Sequence, residues 1–244
     1  MRDQPQATDP LLSLRAIDKK YRLPAGDQYV LRAVDLSVEK GEFVSIMGPS
    51  GSGKSSLLAV LALLDSDWQG EYHFDGVALH TLKEAKRKDF ARARIGLVFQ
   101  QYHLLDDLSV AENIELPLDY LGVARAERRT RVAELLARFA LTDKASLSPR
   151  QLSGGQQQMV AVARAVAARP SVLLADEPTG ALHSSQGELI MTLLEELNRA
   201  GTTIIQVTHN PDYAARATRV LEMRDGRLAA ACEDAPNEPP QRLK

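Results

Sequence analysis

The sequence predicts an α/β fold: a mostly parallel sheet covered by helices on both faces, flanked by antiparallel strands near the N-terminus and interrupted by an all-helical insertion. Three observations carry this. The apolar run Phe43-Val44-Ser45-Ile46-Met47 feeds a glycine-rich turn and then the apolar helix pattern Ser56 to Leu64, a strand–loop–helix unit. Further on, strand-length apolar runs alternate with helical stretches, the pattern of a parallel sheet with crossover helices. Between them, from Leu104 to Ala145, the periodicity is helical only.

In chain order, residues 1–11 are polar and expected to be disordered. Leu12, Leu14 and Ala16 then alternate with Ser13, Arg15 and Ile17 as a strand, a loop with Pro24 and Gly26 follows, and Val34, Leu36 and Val38 alternate with Asp35 and Ser37. Lys40-Gly41 turns into the buried strand 43–47. Glu71 to Phe74, the turn Asp75-Gly76 and Val77 to Leu79 read as a hairpin. A charged helix, Lys83 to Arg94, leads to the strand Ile95 to Phe99. In the insertion, Ser109 and Glu112 form a capping box for a helix toward Tyr120, and Glu127 to Ala140 places Val132, Leu135, Leu136 and Phe139 on one face. A helix over Gln156 to Ala168 precedes the strand Val172 to Ala175. The helix Ser184 to Ala200 precedes the strand Thr203 to Thr208. A short helix after Pro211 and the strands Val220 to Met223 and Arg227 to Ala230 close the fold, and residues 232–244 form a proline-rich, charged tail expected to be disordered.

Composition narrows the function. With 30 Lys and Arg against 32 Asp and Glu in 244 residues, the balance is not that of a dedicated nucleic-acid binder. The basic runs Lys83 to Arg94 and Arg125 to Arg131 carry interleaved acids and apolar residues at helical spacing, as solvated helix faces do. A single cysteine, Cys232, excludes an intrachain disulfide and suits a reducing compartment. The longest apolar run, Leu57 to Leu64, is far short of the ~20 residues that span a bilayer. A cytoplasmic chain is expected, with no direct membrane insertion; any membrane role passes through a partner.

The chemistry sits in three places. Gly48-Pro49-Ser50-Gly51-Ser52-Gly53-Lys54-Ser55-Ser56 is a phosphate-binding loop: its glycines let consecutive N–H groups face phosphate oxygens at a helix N-terminus, Lys54 reaches the β and γ phosphates, and the Ser55 hydroxyl is a Mg²⁺ ligand. Asp176-Glu177 ends an apolar strand; Asp176 would hold Mg²⁺ directly or through its water, and Glu177 would be the general base for water. Ser153, Gly154, Gly155 and Gln156 make both an S-x-x-Q capping box and a second anion-accepting helix start. Two phosphate-binding helix starts and one nucleotide suggest a dimer with ATP held between unlike surfaces.

Gly48 to Ser55, Gln100, Leu152 to Gln156, Val172 to Glu177 and His209, in that order, resemble the ATP-binding subunits of ABC transporters over nearly the whole chain, about 12–231. Phe99 to Leu105, Ala175 to Gly180 and Glu222 to Gly226 look most like the macrolide-export, lipoprotein-export and cell-division ATPases (MacB-, LolD- and FtsE-like). The resemblance implies a RecA-like P-loop core, an antiparallel β-subdomain and an inserted helical subdomain at about 101–155. It implies that Gln100 contacts Mg²⁺ or the attacking water and relays nucleotide state to the insertion, and that His209 bonds the γ-phosphate and Glu177. Tyr21 would stack on adenine, with Tyr29 as the rival.

The implied function is a Mg²⁺-dependent ATPase on the cytoplasmic face of the cell membrane, two copies clamping ATP head to tail and driving an integral membrane permease of an export or lipoprotein-release system. Lys54 and Ser55 of one copy would then face Ser153 and Gly155 of the other. The alternatives are a soluble ABC ATPase acting on translation or DNA and a regulatory module that holds ATP without turnover. Four positions depart from the family pattern: His183 for an aspartate, Met159 for an arginine, Asn210 for an aspartate and Ser56 for a threonine.

Overall fold

The computed structural model describes residues 9–23 and 26–230; the expectations for residues 1–8, for the loop at 24–25, for Cys232 and for the tail at 232–244 lie outside them. Two sheets organise the molecule. One is antiparallel, in the order β2-β1-β4-β5, built from β1 (Leu12–Leu23), β2 (Gly26–Val38), β4 (Gln69–Phe74) and β5 (Val77–Ala78). The other runs β10-β9-β3-β8-β7-β6, from β3 (Phe43–Met47), β6 (Ile95–Phe99), β7 (Val172–Asp176), β8 (Thr203–Val207), β9 (Arg219–Arg224) and β10 (Arg227–Ala230). Its pairs are parallel except for the closing hairpin β9–β10.

β3, β7 and β8 are buried on both faces, since successive side chains point to opposite sides and each side is covered. Val44, Ile46, Val172, Leu174, Ile205 and Val207 pack with the antiparallel sheet and with α1 (Lys54–Leu61). Their neighbours Phe43, Leu173, Ala175 and Ile204 pack against α5 (Gly154–Ala167) and α6 (Ser184–Arg199), a cluster that continues into the insertion helices α3 (Val110–Tyr120) and α4 (Arg125–Arg138). The expected charged helix is α2 (Glu84–Arg94); it buries no residue fully, as a solvated face should. The short helix after Pro211 is α7 (Pro211–Ala214), capped by the Asn210 side chain, which accepts from the Asp212 and Tyr213 N–H groups.

The strand alternation at the N-terminus needs correction. Leu12 and Leu14 face inward as expected, but Ala16 does not continue the set; Ile17 and Lys19 do, at 0% and 2% exposure. A bulge shifts the register between Leu14 and Ile17, with Ala16 at φ 47°. Ala33 on the facing strand mirrors it at φ 45°. Each bulged N–H donates to an aspartate across the pair, Ala16 to Asp35 Oδ1 at 2.8 Å and Ala33 to Asp18 Oδ1 at 2.9 Å. A left-handed non-glycine costs about 1–2 kcal/mol, and a hydrogen bond to a charged acceptor contributes about as much. The strand also runs to Leu23, well past the expected stretch, because those paired bulges let pairing resume beyond them.

Helix starts fall earlier than the apolar pattern indicates, α1 at Lys54 and α5 at Gly154 rather than at Ser56 and Gln156. Their first turns are polar and glycine-rich, so hydrophobic periodicity begins after the helix does. Leu79, placed in a strand by its sequence, is the buried start of a 3₁₀ turn, Leu79–Thr81.

Candidate functional site

The parallel sheet brings a cleft together at the carboxyl ends of its strands. β3 delivers the glycine loop, β7 ends on Asp176, β6 ends one residue before Gln100, and β8 ends two before His209. Ser50, Gly51, Gly53, Lys54, Ser55, Ser56, Gln100, Asp176, Glu177 and His209 line one cleft, joined by Val30 and Val207. Ligands of open α/β sheets bind at such strand ends.

The loop is shaped by contacts only glycine permits. At Gly48, φ 148°, a Cβ would lie 2.1 Å from the Met223 carbonyl oxygen, and at Gly53, φ 107°, 2.6 Å from that of Val30. Gly53 caps α1 without any side-chain bond to the first turn, so those N–H groups have no side-chain acceptor of their own. Lys54 Nζ donates to the carbonyls of Gly48 and Pro49, at 2.8 Å each, across the loop mouth. Ser52 is turned the other way: it is 4% exposed, its N–H donates to Pro49 O at 3.2 Å, and its hydroxyl is buried under Gly48.

Asp176 sits in the cleft floor. Burial pushes its carboxyl above the ordinary carboxylate range, a hydrogen bond from the Ser55 hydroxyl pulls it back, Glu177 adds to the rise and Lys54 opposes it. Glu177 adopts φ 45°, its N–H donating to Val207 O at 2.9 Å and its carbonyl accepting from Gly180 at 3.0 Å. These bonds hold a conformation costing on the order of 1–3 kcal/mol. Its Oε1 lies 2.9 Å from His209 Nδ1, while Oε2 is buried with no partner among the described residues. The amide of Gln100 packs on Gly180, where a Cβ would meet Nε2 at 2.9 Å.

These residues suit a divalent ion held with phosphates. Among the described residues no cluster of three His, Cys, Asp or Glu could chelate a metal alone. Mg²⁺ needs less, since it binds through one or two carboxylates plus substrate phosphates. Asp176 beside the Ser55 hydroxyl, with the unpartnered Glu177 oxygen nearby, is such a donor set.

Two predicted groups stand apart from the cleft. The second helix start is capped as expected: Ser153 accepts from Gln156 N–H at 3.4 Å and donates its own N–H to Gln156 Oε1 at 3.0 Å. Gly154 lies against the Tyr102 hydroxyl and Leu182, and Gly155 against Gln186; Ser153, Gly154, Gly155 and Gln156 do not line the cleft. Tyr21 and Tyr29 both line another hollow, with Asp67, Trp68 and Gln69. They are equally exposed, 46% and 45%, so geometry does not separate them. Lys19, unremarkable in sequence, lies 4.6 Å from the Tyr21 ring centroid, pairs with Asp65 at 2.8 Å and donates to Asp67 O at 3.1 Å. Val30 and Val207 were also missed, since nothing separates a cleft valine from any other strand valine in sequence.

The sequence pattern of the ABC transporter family matches residues 31–180. The chain belongs to that family. The cassette is 43% identical over 232 residues to the macrolide export ATP-binding/permease protein MacB 2 of Aeromonas hydrophila, covering 95% of this chain and 35% of that protein. It thus spans about a third of the length of the macrolide-export relatives it matches. It is also 44% identical over 218 residues to the uncharacterized ABC transporter ATP-binding protein YvrO of Bacillus subtilis, covering 89% of this chain and 95% of that one. Among solved structures, the dimeric post-hydrolysis state of the ATP-binding cassette MJ0796 bound to ADP and Pi superposes with TM-score 0.82 at 40% identity, covering 91% of this chain and all of that one. The fold is that of ABC ATPase cassettes. Among the described residues no helix is long and apolar enough to cross a membrane.

Proposed function

We propose that this cassette binds ATP with Mg²⁺ and hydrolyses it, as the ATPase of a membrane transport complex acting at the cytoplasmic face of the cell membrane. The observation that carries the reading is the Glu177–His209 pair at 2.9 Å, with a second Glu177 oxygen buried and unpartnered, in the cleft that holds Lys54, Ser55 and Asp176. An unpartnered carboxylate oxygen beside a phosphate loop can accept the proton of an attacking water. Lys54, released from two loop carbonyls, meets the β and γ phosphates. Ser55, Asp176 and Gln100 are the candidate Mg²⁺ ligands, and that ion would supply neutralisation of phosphate charge. His209 orients Glu177 and offers its ring to the γ-phosphate. Tyr21, with Tyr29 as rival, stacks on the base.

Two copies close on ATP head to tail, with Ser153, Gly154, Gly155 and Gln156 of one meeting the cleft of the other. Support comes from the dimeric MJ0796 cassettes and from a second helix start that lies outside its own chain's cleft. The driven partner is a permease of the export or lipoprotein-release kind; the permease is supported by the macrolide-export relatives, which are ATP-binding/permease proteins. The test is Mg²⁺-dependent ATP hydrolysis by the purified chain, alone and with its co-purifying membrane protein, against Glu177→Gln. Turnover well above that variant supports the reading, and equal rates overturn it. An ATP-saturated Glu177→Gln protein that stays monomeric in both settings removes the dimer.

A further inference from the structure

The turn that follows Gln100 is held in a backbone conformation its residues resist, and one side chain outside the cleft bonds two of its carbonyls. Tyr102 and His103 are consecutive non-glycine residues at φ 49° and 48°. Such a run persists only when its surroundings over-determine it. Both carbonyls turn toward α5, where Arg164 donates from Nη1 to His103 O at 2.6 Å and from Nη2 to Tyr102 O at 2.8 Å. Among the described residues Arg164 makes no other hydrogen bond and no ion pair, although it is desolvated enough for burial to lower its pKa. A half-buried guanidinium whose hydrogen bonds, among the described residues, go to two neighbouring carbonyls matches the planar fork of arginine and not the single ammonium of lysine.

The clamped turn touches both halves of the machinery. Just upstream, Gln100 reaches into the cleft against Gly180; across the turn, the Tyr102 hydroxyl covers Gly154, the first residue of α5. We propose that Arg164 is a positioning residue for hydrolysis: by holding the Gln101–His103 turn it keeps Gln100 in fixed register with the N-terminus of α5. The inference rests on the ATPase reading above and deepens it. Arg164 itself reaches neither the cleft nor a phosphate, so its effect passes through the backbone of the turn.

The test uses the purified full chain and compares wild type, Arg164→Ala, Arg164→Lys, the double variant Arg164→Ala/His103→Gly, and His103→Val with Arg164 intact. A misplaced Gln100 should lower kcat of Arg164→Ala by about ten- to a hundredfold, while affinity for a fluorescent ATP analogue stays within about twofold because the phosphate loop is untouched. Lysine can reach only one carbonyl and should fall between. Glycine at 103 accepts the left-handed conformation without the clamp and should recover part of the lost turnover. Valine there resists that conformation and should reproduce the loss even with Arg164 present, which keeps the test open if Arg164→Ala does not fold. The proposal is overturned if ATP affinity falls in step with kcat, if His103→Gly recovers nothing, or if His103→Val turns over normally. A wild type that binds but does not hydrolyse ATP sinks the ATPase reading instead; the clamp is then judged by amide exchange at Tyr102 to Leu104, faster in Arg164→Ala if it exists and unchanged if it does not.

Discussion

The N-termini of α1 and α5 are both glycine-rich and both could receive an anion, yet the chain finishes them differently. At α1 the cap is Gly53, which offers no side-chain acceptor, and the loop around it is bent by contacts with Met223 and Val30 that exclude a Cβ. At α5 the cap is Ser153, whose box with Gln156 satisfies two N–H groups and leaves those of the glycines. The first start opens into a cleft already furnished with Asp176, Glu177 and His209; the glycines of the second lie against Tyr102, Leu182 and Gln186 of their own chain. One is built as a site; on the proposed function the other is a surface offered to a second copy's ligand.

Substitutions break that contrast in order of size. Glu177→Gln removes the proposed base from the furnished start and should lower kcat by about 10²–10⁴-fold while ATP binding persists, measured by steady-state turnover and analogue titration. Gly48→Ala drives a methyl onto the Met223 carbonyl and should cost about 3–4 kcal/mol in urea unfolding. The same change at Gly154 crowds the far end of the Tyr102 side chain rather than backbone and should cost well under half as much. Ser153→Ala removes a cap and should lower stability by about 1 kcal/mol. Its distinguishing readout is ATP-driven dimerisation, which should weaken while monomer affinity for ATP holds.

A further effect is on the pH dependence of stability. Burial raises the Asp176 carboxyl above its unfolded value, so its favourable contribution is complete below about pH 4, where it is protonated in both states, and is lost as pH rises through the folded pKa. Asp176→Asn mimics the protonated form. It should melt higher than wild type at neutral pH and converge with it in acid, followed by thermal denaturation across pH, while hydrolysis disappears.

His183 extends the same theme. It occupies the cap position of α6 with extended backbone and no side-chain bond to the first turn, whereas Asn210 at α7 accepts two N–H groups. The departure at 210 therefore keeps a cap and the one at 183 loses one; His183→Asp should stabilise by about 0.5–1 kcal/mol.

What was legible in the sequence was local. The phosphate loop, the Asp176-Glu177 strand end, the boxes at Ser109 and Ser153 and the short core strands are each set by residues within a few positions of one another, so spacing alone reveals them. Relations across the chain could only be decided by packing. The parallel sheet put Gln100, Asp176 and His209 beside Lys54, and reciprocal bulges at Ala16 and Ala33 moved Ile17 and Lys19 into the core. Packing also set Tyr21 and Tyr29 on one hollow, and turned two strained carbonyls toward Arg164. A pattern of residue types reports which groups are available; which of them meet depends on strand order and register, and those follow from burying both faces of the sheet at once.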